Sequence, residues 1–107
     1  MKKTLSGSAL KEDNVKYIYR DKNVSMGDKV PYKNILLKYL RDFKPNFATG
    51  ANIHDYVTNT DIKNTYNMGY EYNGYFWTET DIYHFEKYNM PLNEDFIKYV
   101  LSKQEWL

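Results

Sequence analysis

His54-Asp55 and His84-x-Glu86 are the two places where an imidazole and a carboxylate lie close in the chain, and that combination serves both proton transfer and metal ligation. Neither spacing matches a known ligand pattern, and the chain has no cysteine to supply a thiolate. On a helix His84 falls at the edge of a Phe85/Tyr88 stripe, where a hydrogen-bonded, half-buried histidine serves packing; His54 reads the same way. A nucleophile with its base is equally hard to assemble. There is no G-x-S-x-G turn and no phosphate-cradling loop, and Gly7, Gly27, Gly50, Gly69 and Gly74 read as turn residues. The sequence therefore reads as a non-enzyme with no cofactor and no metal.

Two surfaces offer binding instead. Residues 1–44 hold 11 Lys/Arg against 5 Asp/Glu, and residues 45–107 hold 4 against 9, so the net charge of +1 conceals a dipole. In the basic half Lys33, Lys38, Arg41 and Lys44 fall on one helix face and could neutralise phosphates, although a solvated face is the preferred reading. The acidic half is also rich in rings. With 12 tyrosines, 5 phenylalanines and 2 tryptophans in 107 residues, some rings must face outward, and Tyr17, Tyr66 and Tyr83 lie off the apolar stripes. Tyr66, Glu71, Glu79, Asp81, Tyr83 and Glu86, with Glu94 and Asp95 beyond them, are expected to form an acidic, aromatic face suited to a basic protein partner.

The elements that must position these residues centre on Tyr66–Tyr88. Asn73-Gly74 between two aromatic runs predicts a type I′ hairpin pairing Tyr72 with Tyr75 and Tyr70 with Trp77, all four rings on one face. That face is expected to pack on a helix in preference to stacking bases. Thr78 reads as an N-cap with Asp81 as its capping-box acid, Ile82, Phe85 and Tyr88 as the stripe, and Asn89 as the stop. Upstream, Pro31 opens a helix in which Tyr32, Ile35, Leu36, Tyr39, Leu40 and Phe43 recur at helical spacing until Lys44-Pro45. A first helix is expected over 11–21 with Val15, Ile18 and Tyr19 inward, and a short one after Thr49-Gly50 carrying Ile53, Tyr56 and Val57. Asn93 caps a last helix with Phe96, Ile97, Val100 and Leu101 inward, and Trp106 is expected to fold back onto the domain.

Together these predict an α+β domain over residues 10–107, behind a lead-in of residues 1–9, with four to five helices around one antiparallel β-hairpin. The order helix, short helix, hairpin is loosely winged-helix-like, although the segment 58–67 has only Lys63 as a cation. The N-terminus lacks the apolar run of a signal peptide, and no stretch of 18 apolar residues occurs. A cytoplasmic setting in a bacterial host, without a membrane partner, is expected.

Lys, Asn, Tyr, Ile, Phe and Met, all with AT-rich codons, supply 51 of the 107 residues. In its small size and AT-rich codon bias the chain resembles the small inhibitors that phages and mobile elements direct at host machinery, anti-CRISPR proteins above all. The resemblance covers the general character of the chain and carries over no functional residue. It implies a protein that occludes a CRISPR nuclease or another nucleic-acid enzyme. The alternative is a winged-helix-like DNA-binding regulator using Lys33, Lys38, Arg41 and Lys44.

Overall fold

In the computed structural model, which describes residues 15–19 and 24–103, the chain runs β1 (Lys16–Tyr17), α1 (Lys33–Arg41), β2 (Phe47–Ala48), β3 (Ile53–Asp55), β4 (Thr60–Ile62), β5 (Met68–Tyr72), β6 (Tyr75–Thr78), α2 (Glu79–Tyr88) and α3 (Glu94–Ser102). One sheet has the order β1-β6-β5-β2, with β1 parallel to β6 and the other pairs antiparallel. The second is the β3–β4 hairpin alone. The result is a small α+β domain with three helices among the described residues, in place of four to five helices around one hairpin.

Local chemistry explains the β5–β6 turn. Asn73 and Gly74 both take positive φ, 57° and 82°, as a type I′ turn requires, and the register pairs Tyr72 with Tyr75 and Tyr70 with Trp77. Those rings face α1 and α3. Trp77 is fully buried and donates from Nε1 to the Leu40 carbonyl at 3.1 Å; Tyr72 stacks on Phe43 at 4.3 Å, and Tyr75 meets Phe96 edge-on at 5.0 Å. Leu36, Leu37 and Leu40 of α1 and Phe96 and Val100 of α3 complete the core. Each such aromatic pair adds about 0.5–1.5 kcal/mol beyond its buried area.

The helix ends also follow from local residues. Thr78 and Asp81 form a reciprocal capping box at α2, and Asn89 closes it in the left-handed conformation with its N–H on the His84 and Phe85 carbonyls. Asn93 caps α3 through the Asp95 N–H at 3.0 Å. α1 starts two residues past Pro31 and stops at Arg41, short of Lys44.

Three expectations are corrected. Residues 15–19 are extended where a first helix was expected; the rest of that span, the lead-in and Trp106 lie outside the described residues. Tyr17-Ile18-Tyr19 is a β-branched and aromatic run and is used as an edge. Lys16 N–H donates to Gly74 O and Ile18 N–H to Phe76 O, while Ile18 O receives the Asn93 N–H. The span around Ile53 is a strand. The Asp55 carboxylate accepts the Val57 and Thr58 N–H groups at 2.8 and 2.9 Å, a local side-chain turn that diverts the backbone from a helix. A β-hairpin thus occupies the place of a recognition helix, and the winged-helix order is not formed.

Gly69 is a strand residue and not a turn residue. Its cross-strand partner is Phe47, whose ring lies so close over it that an added Cβ would overlap the ring. Gly69→Ala should destabilise the domain by about 1–3 kcal/mol through overpacking. In urea denaturation Phe47→Ala in the same chain should recover most of that loss; additive losses would mean that the ring contact is not the cause.

Candidate functional site

The β3–β4 hairpin is seated on α2 by polar groups. Thr80, Tyr83, His84 and Tyr88 recur at helical spacing along one side of α2 and meet the hairpin in turn. Thr80 Oγ1 accepts the His54 N–H at 3.3 Å, and His84 Nε2 accepts the Tyr56 N–H at 3.0 Å. The Asp55 carboxylate accepts hydrogen bonds from both the Tyr83 and the Tyr88 hydroxyls. Asn67 links the loop before the hairpin to the same helix: its N–H donates to Ala51 O at 2.9 Å, its carbonyl accepts Thr49 N–H and Oγ1, and its Oδ1 accepts the Thr80 N–H at 2.9 Å.

This clamp leaves two adjoining hollows of about 430 and 370 Å³ that share Ala51, Asn52, Asp61 and Asn67. Tyr66 stands on the first, 80% exposed. His54 and Tyr56 line the second. His54 and Asp61 are direct cross-strand partners, with Nδ1 to Oδ1 at 2.6 Å, and His54 Nε2 faces the Asn59 side-chain oxygen at 3.2 Å.

The buried titratable groups are held in fixed states. Burial alone would raise the Asp55 carboxyl, but hydrogen bonds from the Tyr88 hydroxyl, the Thr58 N–H, the Tyr83 hydroxyl and the Val57 N–H outweigh it and hold the group well below the usual carboxylate range. Burial lowers the His84 pKa, against the opposing pull of its bond to the Thr80 carbonyl and of the Asp55 charge. Its Nδ1 lies 2.7 Å from that carbonyl and must carry the proton, so Nε2 is the lone pair that receives Tyr56 N–H. Asp81 is fully buried. One oxygen accepts the Thr78 N–H at 2.8 Å, the other the Tyr17 hydroxyl, and its backbone carbonyl takes the Tyr19 hydroxyl at 2.6 Å. Burial first, then the neighbouring Asp81 charge, raises the Tyr17 and Tyr19 hydroxyls, keeping both as donors.

The residues expected on one acidic, aromatic face are drawn to different neighbours. Asp81 is interior, because it closes the capping box and anchors β1, and it is withdrawn from that surface. Glu79 accepts the Tyr70 hydroxyl, Tyr83 is turned onto Asp55, and Glu86 pairs with Arg41 at 2.7 Å. Glu71 is half-buried, its Oε1 enclosed without a hydrogen-bond partner among the described residues. Among the described residues, Tyr66 alone of the six stands exposed and without a partner.

The basic face is divided as well. Lys33 Nζ donates to the Glu86 carbonyl at 2.6 Å and to Asn89 Oδ1 at 2.7 Å, a cation at the negative end of α2. With Arg41 on Glu86, only Lys38 and Lys44 of that set are exposed and in no ion pair among the described residues. Two of the four cations are thus engaged by α2 and its C-terminal Asn89.

Asn52, Asp61 and Asn67 belong to the site but had not been singled out. Asn59 and Asn64, at φ 58° and 63°, mark turns that could have shown a hairpin around 53–62. Comparison of the chain with protein-family models, curated proteins and solved structures finds no match. Among the described residues no helix is long and apolar enough to cross a membrane, and no group of three or more His, Asp or Glu is placed to hold a metal ion.

Two measurements check this network. Asp81→Ala strands the Thr78 N–H and the Tyr17 hydroxyl and should cost about 2–5 kcal/mol in urea denaturation; a loss below 1 kcal/mol, on the scale of an ordinary surface change, would contradict it. For His84, the folded-state pKa lies below the roughly 6.5 of free histidine, so the unfolded chain takes up the proton first as the pH falls. Stability from the neutral ring is complete above that value and is lost as the pH drops from there towards the folded pKa, by up to about 1.4 kcal/mol per pH unit. Asp55 remains ionised in this window, while His54, Tyr56, Tyr83 and Tyr88 face the same ring. The urea midpoint should fall between pH 7 and pH 5, and His84→Gln should remove that part of the slope.

Proposed function

We propose that this chain is a non-catalytic module that docks on another protein through the face around Tyr66, and that it acts as an inhibitor of the anti-CRISPR kind by covering a surface on which a nuclease takes up nucleic acid. The observation that carries the docking reading is the exposure of Tyr66, 80%, beside an open hollow. Aromatic anchors of this type supply most of the energy of protein interfaces. The other polar rings near α2 are spent on internal hydrogen bonds. A non-catalytic role is supported by the histidines, since both nitrogens of His84 serve the backbone and both of His54 face oxygens of its own hairpin. Neither is poised to take a proton from a substrate. The choice of a nuclease follows from the resemblance in size and codon bias.

The test uses purified, guide-loaded CRISPR nucleases of the single-effector and multisubunit types. With one of them, added chain should block target-DNA binding and cleavage, saturating at a fixed ratio. Tyr66→Ala should raise the half-inhibitory concentration at least about tenfold, the scale of an interface anchor, whereas Lys38→Ala should change it less than about twofold. Undiminished cleavage by every type at hundredfold excess would remove the nuclease reading. Equal potency of Tyr66→Ala would move the contact elsewhere.

A further inference from the structure

The hollow beside Tyr66 has a definite charge. Asp61 is its one carboxylate among the described lining residues, and no lysine or arginine lines either half. Asp61 remains 66% exposed although Oδ1 is engaged by His54, and Oδ2 has no hydrogen bond among the described residues. The His54 contact fixes the carboxylate in place without covering it. Tyr66, on the same hollow, has no ring contact or hydrogen bond among the described residues. Ala48, Ala51 and Met68 line the same hollow with short or flexible apolar side chains. A carboxylate, an open ring and an apolar strip on one depression match the three parts of an arginine: guanidinium charge, guanidinium plane and methylene stem.

We infer that this hollow receives an arginine side chain of the protein partner, with the guanidinium on Asp61 and against Tyr66 and the stem across Ala48, Ala51 and Met68. This rests on the protein-docking reading and names the chemistry of what is docked. Arginine is favoured over lysine because a planar fork can address a carboxylate and a ring face together, which a point-like ammonium cannot. Nucleic-acid-binding surfaces are rich in arginine, so the same hollow gives an occluding protein a hold on such a surface without any large acidic face.

The experiment needs no partner protein. The ¹⁵N-labelled chain is titrated with N-acetyl-arginine amide and, separately, with N-acetyl-citrulline amide, which keeps the shape and lacks the charge. Saturable amide shifts confined to residues 48–52, 61 and 66–68, at roughly millimolar concentration as expected for so small a ligand, are the supporting result. The citrulline compound should give none. Tyr66→Leu should weaken binding about two- to fivefold, and Asp61→Asn more than that. Asp61→Asn also alters the His54 pair, so the exposed Tyr66→Leu variant keeps the proposal testable if Asp61→Asn folds poorly. Equal shifts from both compounds, scattered shifts, or no saturation would overturn the assignment. Its failure is separable from that of the docking reading: nuclease inhibition that still requires Tyr66 would survive the loss of the arginine site, and arginine binding would survive the absence of any inhibited nuclease.

Discussion

The Asp81 carboxylate is the constraint on which the rest of the fold depends. A carboxyl group enclosed away from water is tolerated only when its oxygens are occupied, and here the occupants come from separate parts of the chain: the Thr78 N–H at the end of β6 and the Tyr17 hydroxyl of β1. The Tyr19 hydroxyl on the Asp81 carbonyl adds a second tie. One residue therefore starts α2, fixes its angle to the sheet and holds the parallel edge strand in place. Because β1 pairs through only two residues, its ladder is too short to set that position, and the tyrosine hydroxyls do so instead.

A second polar junction is built along α2 on the same terms. Ile82 and Phe85 turn towards the core, while Thr80, Tyr83, His84 and Tyr88 receive a hairpin of only three residues a side. So small a hairpin has little apolar surface of its own and isolated hairpins are marginal in water. Its position is set by directed bonds to Asp55, His54 N–H and Tyr56 N–H. Directed bonds fix geometry closely, which is why the hollow between the hairpin and Asn67 has a defined shape although part of its wall, Gly50 to Asn52 and Tyr66-Asn67, is loop.

The same economy governs the surface. Rings and carboxylates that look like interface residues by type are consumed by internal partners: Tyr83 by Asp55, Glu79 by Tyr70, Glu86 by Arg41. Of the tyrosines in the acidic half, Tyr66 follows β4 by several residues and precedes β5, outside both periodic patterns, and no described residue claims its ring. Its exposure is a consequence of where the two sheets hand over to each other.

Features governed by nearest neighbours were legible in the sequence. The Asn73-Gly74 turn and its register, the Thr78/Asp81 capping box, the Asn89 stop, the Asn93 cap and the inward face of α1 each rest on contacts within a few residues, where side-chain type and backbone preference act directly. Leu37 lies beside the main stripe and is buried all the same. Residues 15–19 and 53–57 read as helical in sequence because short apolar runs fit either period, and the choice was made by partners more than 25 positions away: Phe76 for Ile18, Thr80 for His54 and His84 for Tyr56. The sequence by itself determined the turns, the caps and the core faces of the helices. Tertiary structure decided which carboxylates and tyrosines were left to face solvent, since a polar side chain's exposure depends on whether a distant donor or acceptor reaches it first.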